Sequence, residues 1–81
     1  MVVKIQVLFF GATASIVGER RIKVTSTEST TSQMVVDQVK NQFPALDNHK
    51  LLYSFNQNYA KGDEIVCDGD EIAIFTAVSG G

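Results

Sequence analysis

Residues 30–44, Thr30-Thr31-Ser32-Gln33-Met34-Val35-Val36-Asp37-Gln38-Val39-Lys40-Asn41-Gln42-Phe43-Pro44, carry the chain's helical pattern, and their reading decides the fold. Val35, Val36, Val39 and Phe43 recur at near-helical spacing, while Asp37, Gln38, Lys40 and Asn41 take the outer face. Thr30 and Gln33 have the form of a capping box, in which each side chain satisfies the other residue's backbone N–H. Pro44 disfavours helical geometry in the residue before it, so the helix is expected to stop near Phe43. Three valines make a mediocre intrinsic helix, one that must rely on packing against a sheet.

The flanking sequence supplies that sheet. Residues 2–10 read as a strand with Val3, Ile5, Val7 and Phe9 on one face and Lys4, Gln6, Leu8 and Phe10 on the other. Residues 11–18, small and bounded by Gly11 and Gly18, read as a connecting loop. Residues 20–25 read as a second strand, forming a hairpin with the first. After the helix, residues 51–56 form a strand with Leu51, Tyr53 and Phe55 on one face, and residues 57–62 read as irregular or a short strand. Asp68-Gly69-Asp70 signals a turn before a last strand over 71–78, where Ile72 and Ile74 point one way and Ala73 and Phe75 the other. One helix covers only one face of such a sheet. The expected fold is α+β, a β-grasp with a mixed sheet packed on one main helix, spanning residues 1–78 ahead of a Ser-Gly-Gly tail at 79–81.

Composition narrows the function classes. The chain has 81 residues, enough for one domain. A domain of this size has no room to enclose a deep pocket, so any active site lies on the surface or is shared with a partner. The net charge is −2, with no concentrated basic face of the kind nucleic acid rewards. Glu19-Arg20-Arg21-Ile22-Lys23 reads as the solvated side of a strand. One cysteine, Cys67, rules out an internal disulfide and suits a reducing compartment. The apolar N-terminal stretch is interrupted by Lys4 and Gln6 and lacks signal-peptide features, and no apolar run has membrane-spanning length, so a cytoplasmic protein is expected.

The side chains offer no catalytic constellation. His49 sits in the polar loop Asp47-Asn48-His49-Lys50 and reads as a solvated histidine. Cys67 reads as a small, semi-buried hydrophobe, with no second cysteine for a metal or redox pair. Asp63-Glu64 and Asp68-Gly69-Asp70-Glu71 read as turn residues and solvating charge, with an acidic docking patch as the functional alternative. The main chain is the remaining candidate for chemistry. Gly80 and Gly81 follow the last strand, and without Cβ atoms they can thread a narrow channel and leave a terminal carboxylate unhindered. Attack of that carboxylate on the α-phosphate of ATP would release pyrophosphate and leave an acyl-adenylate. A sulfur nucleophile can then displace AMP and leave a thiocarboxylate.

At these residues the chain resembles the small subunits of molybdopterin synthase, ubiquitin-like sulfur carriers with a C-terminal Gly-Gly, over essentially its full length. The resemblance is carried by Val7-Leu8-Phe9-Phe10-Gly11, Val17-Gly18, Asn56-Gln57, Asp68-Gly69-Asp70-Glu71-Ile72-Ala73 and Val78-Ser79-Gly80-Gly81. It implies a β-grasp domain that binds no cofactor directly. Gly81, presented by Gly80, would be adenylated by an E1-like enzyme that uses ATP, thiocarboxylated from a sulfur donor, and inserted into the large synthase subunit. There it would donate sulfur to cyclic pyranopterin monophosphate, within a heterotetramer. The resemblance assigns Phe10, Tyr59, Phe75, Val78 and Ser79 to the partner interface. It also shows a departure: Thr76 and Ala77 stand where the family carries two prolines, which would stiffen the exit of the tail. A carrier for thiazole synthesis or transfer-RNA thiolation, a ubiquitin-like protein modifier and an interaction module with an inert tail remain open alternatives.

Overall fold

Strand β1 (Val2–Phe9) is rich in β-branched and aromatic residues, and its alternation sends Val3, Ile5, Val7 and Phe9 into the core. The computed structural model describes residues 2–76, so the predicted end of the domain at 77–78 and the tail at 79–81 lie outside the described residues. β1 pairs antiparallel with β2 (Arg21–Thr27) and parallel with β5 (Glu71–Thr76). Strand β3 (Leu51–Phe55) pairs antiparallel with both β5 and the two-residue β4 (Asn58–Tyr59). The sheet is mixed, in the order β2-β1-β5-β3-β4.

The main helix, α2 (Ser32–Gln42), buries Val35, Val36 and Val39 against this sheet, where Ile5, Val7, Ile72 and Ile74 are fully buried. Leu51, Tyr53 and Phe55 pack on the same core from β3. Phe43 caps the helix just before Pro44, as the sequence predicts, and meets Phe9 edge-on with ring centroids 6.1 Å apart. A 3-10 turn over Pro44–Asn48 then buries Leu46. This two-layer α+β arrangement is the expected β-grasp.

Three local expectations are corrected. The predicted loop over 11–18 holds a short helix, α1 (Ala12–Val17), closed by Gly18 in the left-handed region. Its Ala14, Ile16 and Val17 pack on the core, and the buried contacts stabilise a helix too short to register as a periodicity. The N-cap of α2 is Thr31, whose Oγ1 accepts from Met34 N at 3.3 Å; the Thr30–Gln33 capping box does not form. Thr30 Oγ1 instead donates to Thr27 O at 2.7 Å, and a bridge between Thr31 and Ile65 holds Thr31 extended. Strand β2 continues to Thr27, two residues beyond the predicted strand, because Ser26 pairs with Val3.

Glu64 fastens the start of α2 to the long connection before β5. Its carboxylate accepts from Ser32 Oγ at 2.6 Å, Lys61 N at 2.8 Å and Gly62 N at 3.0 Å. These donors, the Ser32 hydroxyl foremost, hold its pKa down to about 2. A depressed carboxylate contributes stability that is fully present above its ordinary value of 4.5 and is lost as pH falls toward 2. Urea unfolding as a function of pH should therefore show a decline of stability in that window that is shallower in Glu64→Gln than in the native chain.

Candidate functional site

The site is assembled at the end of the sheet toward which β1 and β5 both run. The launch of β5 is set by the acidic turn. Gly69, at φ +89°, allows the tight reversal, and its N–H donates to Lys4 O at 2.8 Å. Asp68 Oδ1 accepts from Lys4 N at 2.8 Å, and Asp70 Oδ2 accepts from Cys67 N at 2.6 Å. Gln6 N donates to Asp70 O at 2.9 Å, which starts the parallel register of β5 on β1. Asn56 joins β3 to the same point: its Nδ2 donates to Asp70 Oδ1 at 3.1 Å and its Oδ1 accepts from Glu71 N at 2.9 Å. The Asp68-Gly69-Asp70-Glu71 motif is thus a structural turn, as its residue types suggest. Asn56 and Gln57 have φ of +49° and +72°, the left-handed pair that closes the β3–β4 hairpin.

From that register β5 passes Phe9, which pairs with Ile74, and reaches Thr76 opposite Leu51. Thr13 of α1 locks the arrangement. Its fully buried hydroxyl is shared between Phe10 O at 2.6 Å and Ile74 O at 3.0 Å, while Phe10 N donates to Ile74 O at 3.1 Å. The backbone of Phe10 and the last turns of β5 are therefore held together. Sequence reading missed Thr13; its only signal is a hydroxyl one residue ahead of the apolar Ala14, Ile16 and Val17.

Phe10 and Phe75 both lie on the face of the sheet that α2 leaves open. Phe75 pairs with Leu52, and Leu8 and Ser54 pair with Ala73, so these side chains share that face. Phe10 is 52% exposed and Leu52 39%. Tyr59, paired with Ser54, lies on the same face but at the far edge strand, 85% exposed and separated from the Phe10–Phe75 pair. The expected outward parity of Phe10 and Phe75 thus agrees with the fold. Gly80, Gly81, Val78 and Ser79 lie outside the described residues.

The remaining candidates, His49 and Cys67, lie on the surface. His49 is exposed at the end of the 3-10 turn. Cys67 is exposed rather than semi-buried, because the turn spends its backbone N–H on Asp70 and leaves the side chain outside the core. Among the described residues no group of three His, Cys, Asp or Glu side chains could hold a metal ion, and no helix is long and apolar enough to cross a membrane.

Curated proteins match nearly the whole chain, two of them at 33% and 35% identity. The molybdopterin synthase sulfur carrier subunit of Mycobacterium tuberculosis is 33% identical over 82 residues, covering 98% of this chain and 99% of its own. The Escherichia coli protein of the same name is 35% identical over 80 residues, covering 95% and 99%. Among solved structures, the complex of subunits 1 and 2 of the molybdopterin-converting factor from Helicobacter pylori contains a chain with the same fold, at a TM-score of 0.69 and 17% identity, covering 96% of this chain and 99% of that one. The ThiS family matches residues 7–81, and the chain belongs to that family, as a relative of the molybdopterin synthase sulfur carrier subunits.

Proposed function

We propose that the protein is the sulfur carrier subunit of a molybdopterin synthase, acting in the cytoplasm as a donor rather than as a catalyst. The observation that carries the reading is the full-length match to sulfur carrier subunits at 33% and 35% identity. The geometry supports it: the described residues present an open sheet face that carries Phe10 and Phe75.

In this reading an E1-like enzyme joins the Gly81 carboxylate to AMP from ATP, releasing pyrophosphate. Hydrosulfide released by a sulfur donor then attacks the acyl carbon, the acyl–phosphate bond breaks, AMP leaves, and Gly81 carries a thiocarboxylate. ATP and all catalysis belong to the partners. Phe10, Phe75 and Tyr59 on the open face, together with Val78 and Ser79, dock the carrier on the large synthase subunit, where the sulfur passes to cyclic pyranopterin monophosphate. The working assembly is a heterotetramer of two carriers and two large subunits.

The test is the mass of the C-terminal fragment after co-expression with an E1-like activating enzyme and a sulfur source. Exchange of one oxygen for sulfur within that fragment is the expected result. An unmodified Gly81, with the enzyme active on another carrier, would overturn the reading.

A further inference from the structure

Strand β2 forms an open edge of the sheet, and its register shows which backbone groups face outward. Phe9 N donates to Arg20 O at 2.9 Å, which marks Phe9 and Arg20 as a hydrogen-bonded pair. In an antiparallel ladder such pairs alternate, so Ile22 and Val24 also turn their N–H and C=O toward β1. Arg21, Lys23 and Thr25 then turn theirs away from the sheet. Two independent bonds agree with this phase. Gln6, the partner of Lys23, sends its N–H to Asp70 O on the opposite side of β1. Gln38 Nε2 reaches Thr25 O from α2 at 3.4 Å, placing that carbonyl on the outer edge.

The free edge therefore consists of the N–H and C=O of Arg21 and Lys23 and the N–H of Thr25, with the Thr25 carbonyl covered by Gln38. The Arg21 and Lys23 side chains are exposed on the open face, while half-buried Ile22 lies between them on the helix side. At its Arg20 end the edge runs into an open cleft of about 710 Å³ lined by Leu8, Phe10, Ala14, Ser15, Arg20 and Arg21.

We propose that this edge binds an extended acidic segment of a partner protein, which adds to the sheet as an antiparallel strand beside β2. Charge selects the occupant. A second copy of the chain pairing through the same edge would set the Arg21 and Lys23 cations of both copies close together, and like charges across a strand pair are unfavourable. The same two cations, two residues apart on one face, match carboxylates at the same spacing on an incoming strand. The residue between those carboxylates falls opposite Ile22 and is apolar. The residue that follows the second one falls opposite Arg20, where the cleft accepts an aromatic or aliphatic side chain. The main-chain bonds supply affinity, and the alternating acid and apolar pattern supplies specificity. The site shares Phe10 with the proposed large-subunit surface, but its test reads peptide binding at β2 and does not rest on the sulfur carrier reading.

The probe is the end-blocked hexapeptide TVEVEF, with TVQVQF as its neutral counterpart, titrated into the isotopically labelled full chain. TVEVEF is expected to shift and protect the amides of Arg21, Lys23 and Thr25 from hydrogen exchange, and added salt is expected to weaken it. TVQVQF is expected to bind about tenfold more weakly or worse, on the scale of two lost cross-strand charge pairs. Lys23→Pro removes an outward N–H that β1 does not use and should abolish the protection; Lys23→Glu keeps that N–H and should weaken TVEVEF as strongly as the neutral peptide is weakened. Three results would overturn the proposal: unperturbed β2 amides, shifts confined to Leu52 and Phe75, or unaltered binding by a folded Lys23→Glu chain.

Discussion

A chain lacking Gly81 is expected to fold normally and transfer no sulfur. The physical reason lies in which group reacts. In the proposed chemistry the reacting group is the carboxylate of Gly81, not a side chain of the folded domain. Deleting Gly81 leaves a carboxylate on Gly80, one residue short of the position that a channel built for the full tail presents to ATP. Thiocarboxylate formation should fall to background, measured by the mass of the C-terminal fragment and by sulfur transfer in the reconstituted synthase. Thermal and urea unfolding should change by less than about 0.5 kcal/mol, since the described core is built from Val3 to Ile74. Full sulfur transfer by the shortened chain would remove the tail from the mechanism and favour an interaction module.

Phe75→Asp is expected to weaken binding to the large synthase subunit by at least ~30-fold, about 2 kcal/mol, the scale of an aromatic anchor at the centre of an interface. Phe75 faces away from α2, pairs with Leu52, and lies beside exposed Phe10, whose N–H is bonded to the carbonyl of Ile74. The substitution loses apolar contact and also requires a carboxylate to be dehydrated in the complex. Because the core is on the other face, the cost to the isolated domain should stay near the 0.2–1 kcal/mol (~1 at most) of a lost cross-strand pair. Calorimetric titration read beside the unfolding curve separates the two effects. Unchanged affinity would remove Phe75 from the interface. The same substitution at Tyr59 should cost less, since Tyr59 stands on the short edge strand, away from the aromatic pair.

The contrast between these residues shows what one dimension of sequence can carry. Strand parity placed Phe10 and Phe75 on the open face because the alternation of a strand is strict: Val3, Ile5, Val7 and Phe9, like Ile72 and Ile74, cannot be buried together without turning their neighbours outward. The stop of α2 at Phe43 was legible for a similar local reason, the steric demand of Pro44. The helix start was misplaced by one residue because two adjacent threonines can each serve as a cap. The choice fell to Ile65, more than thirty positions away, whose bridge holds Thr31 extended. Helix α1 was invisible because six residues span less than two turns, and its stability comes from what it covers.

By itself the sequence determined the fold class, the order of the long strands and the main helix, and the apolar face of each long strand, all of which follow from local periodicity and turn chemistry along the chain. The family was legible separately, through resemblance at particular motifs. The tertiary structure alone decided that the Asp68–Glu71 turn is spent on anchoring β5 to β1, that the Thr13 hydroxyl joins Phe10 to Ile74, and that, among the described residues, β2 is an edge strand with the backbone of Arg21 and Lys23 turned away from β1. Those outcomes depend on contacts between residues more than sixty positions apart, such as Lys4 with Asp68 and Gly69, and such contacts exist only after the sheet order and register have been chosen.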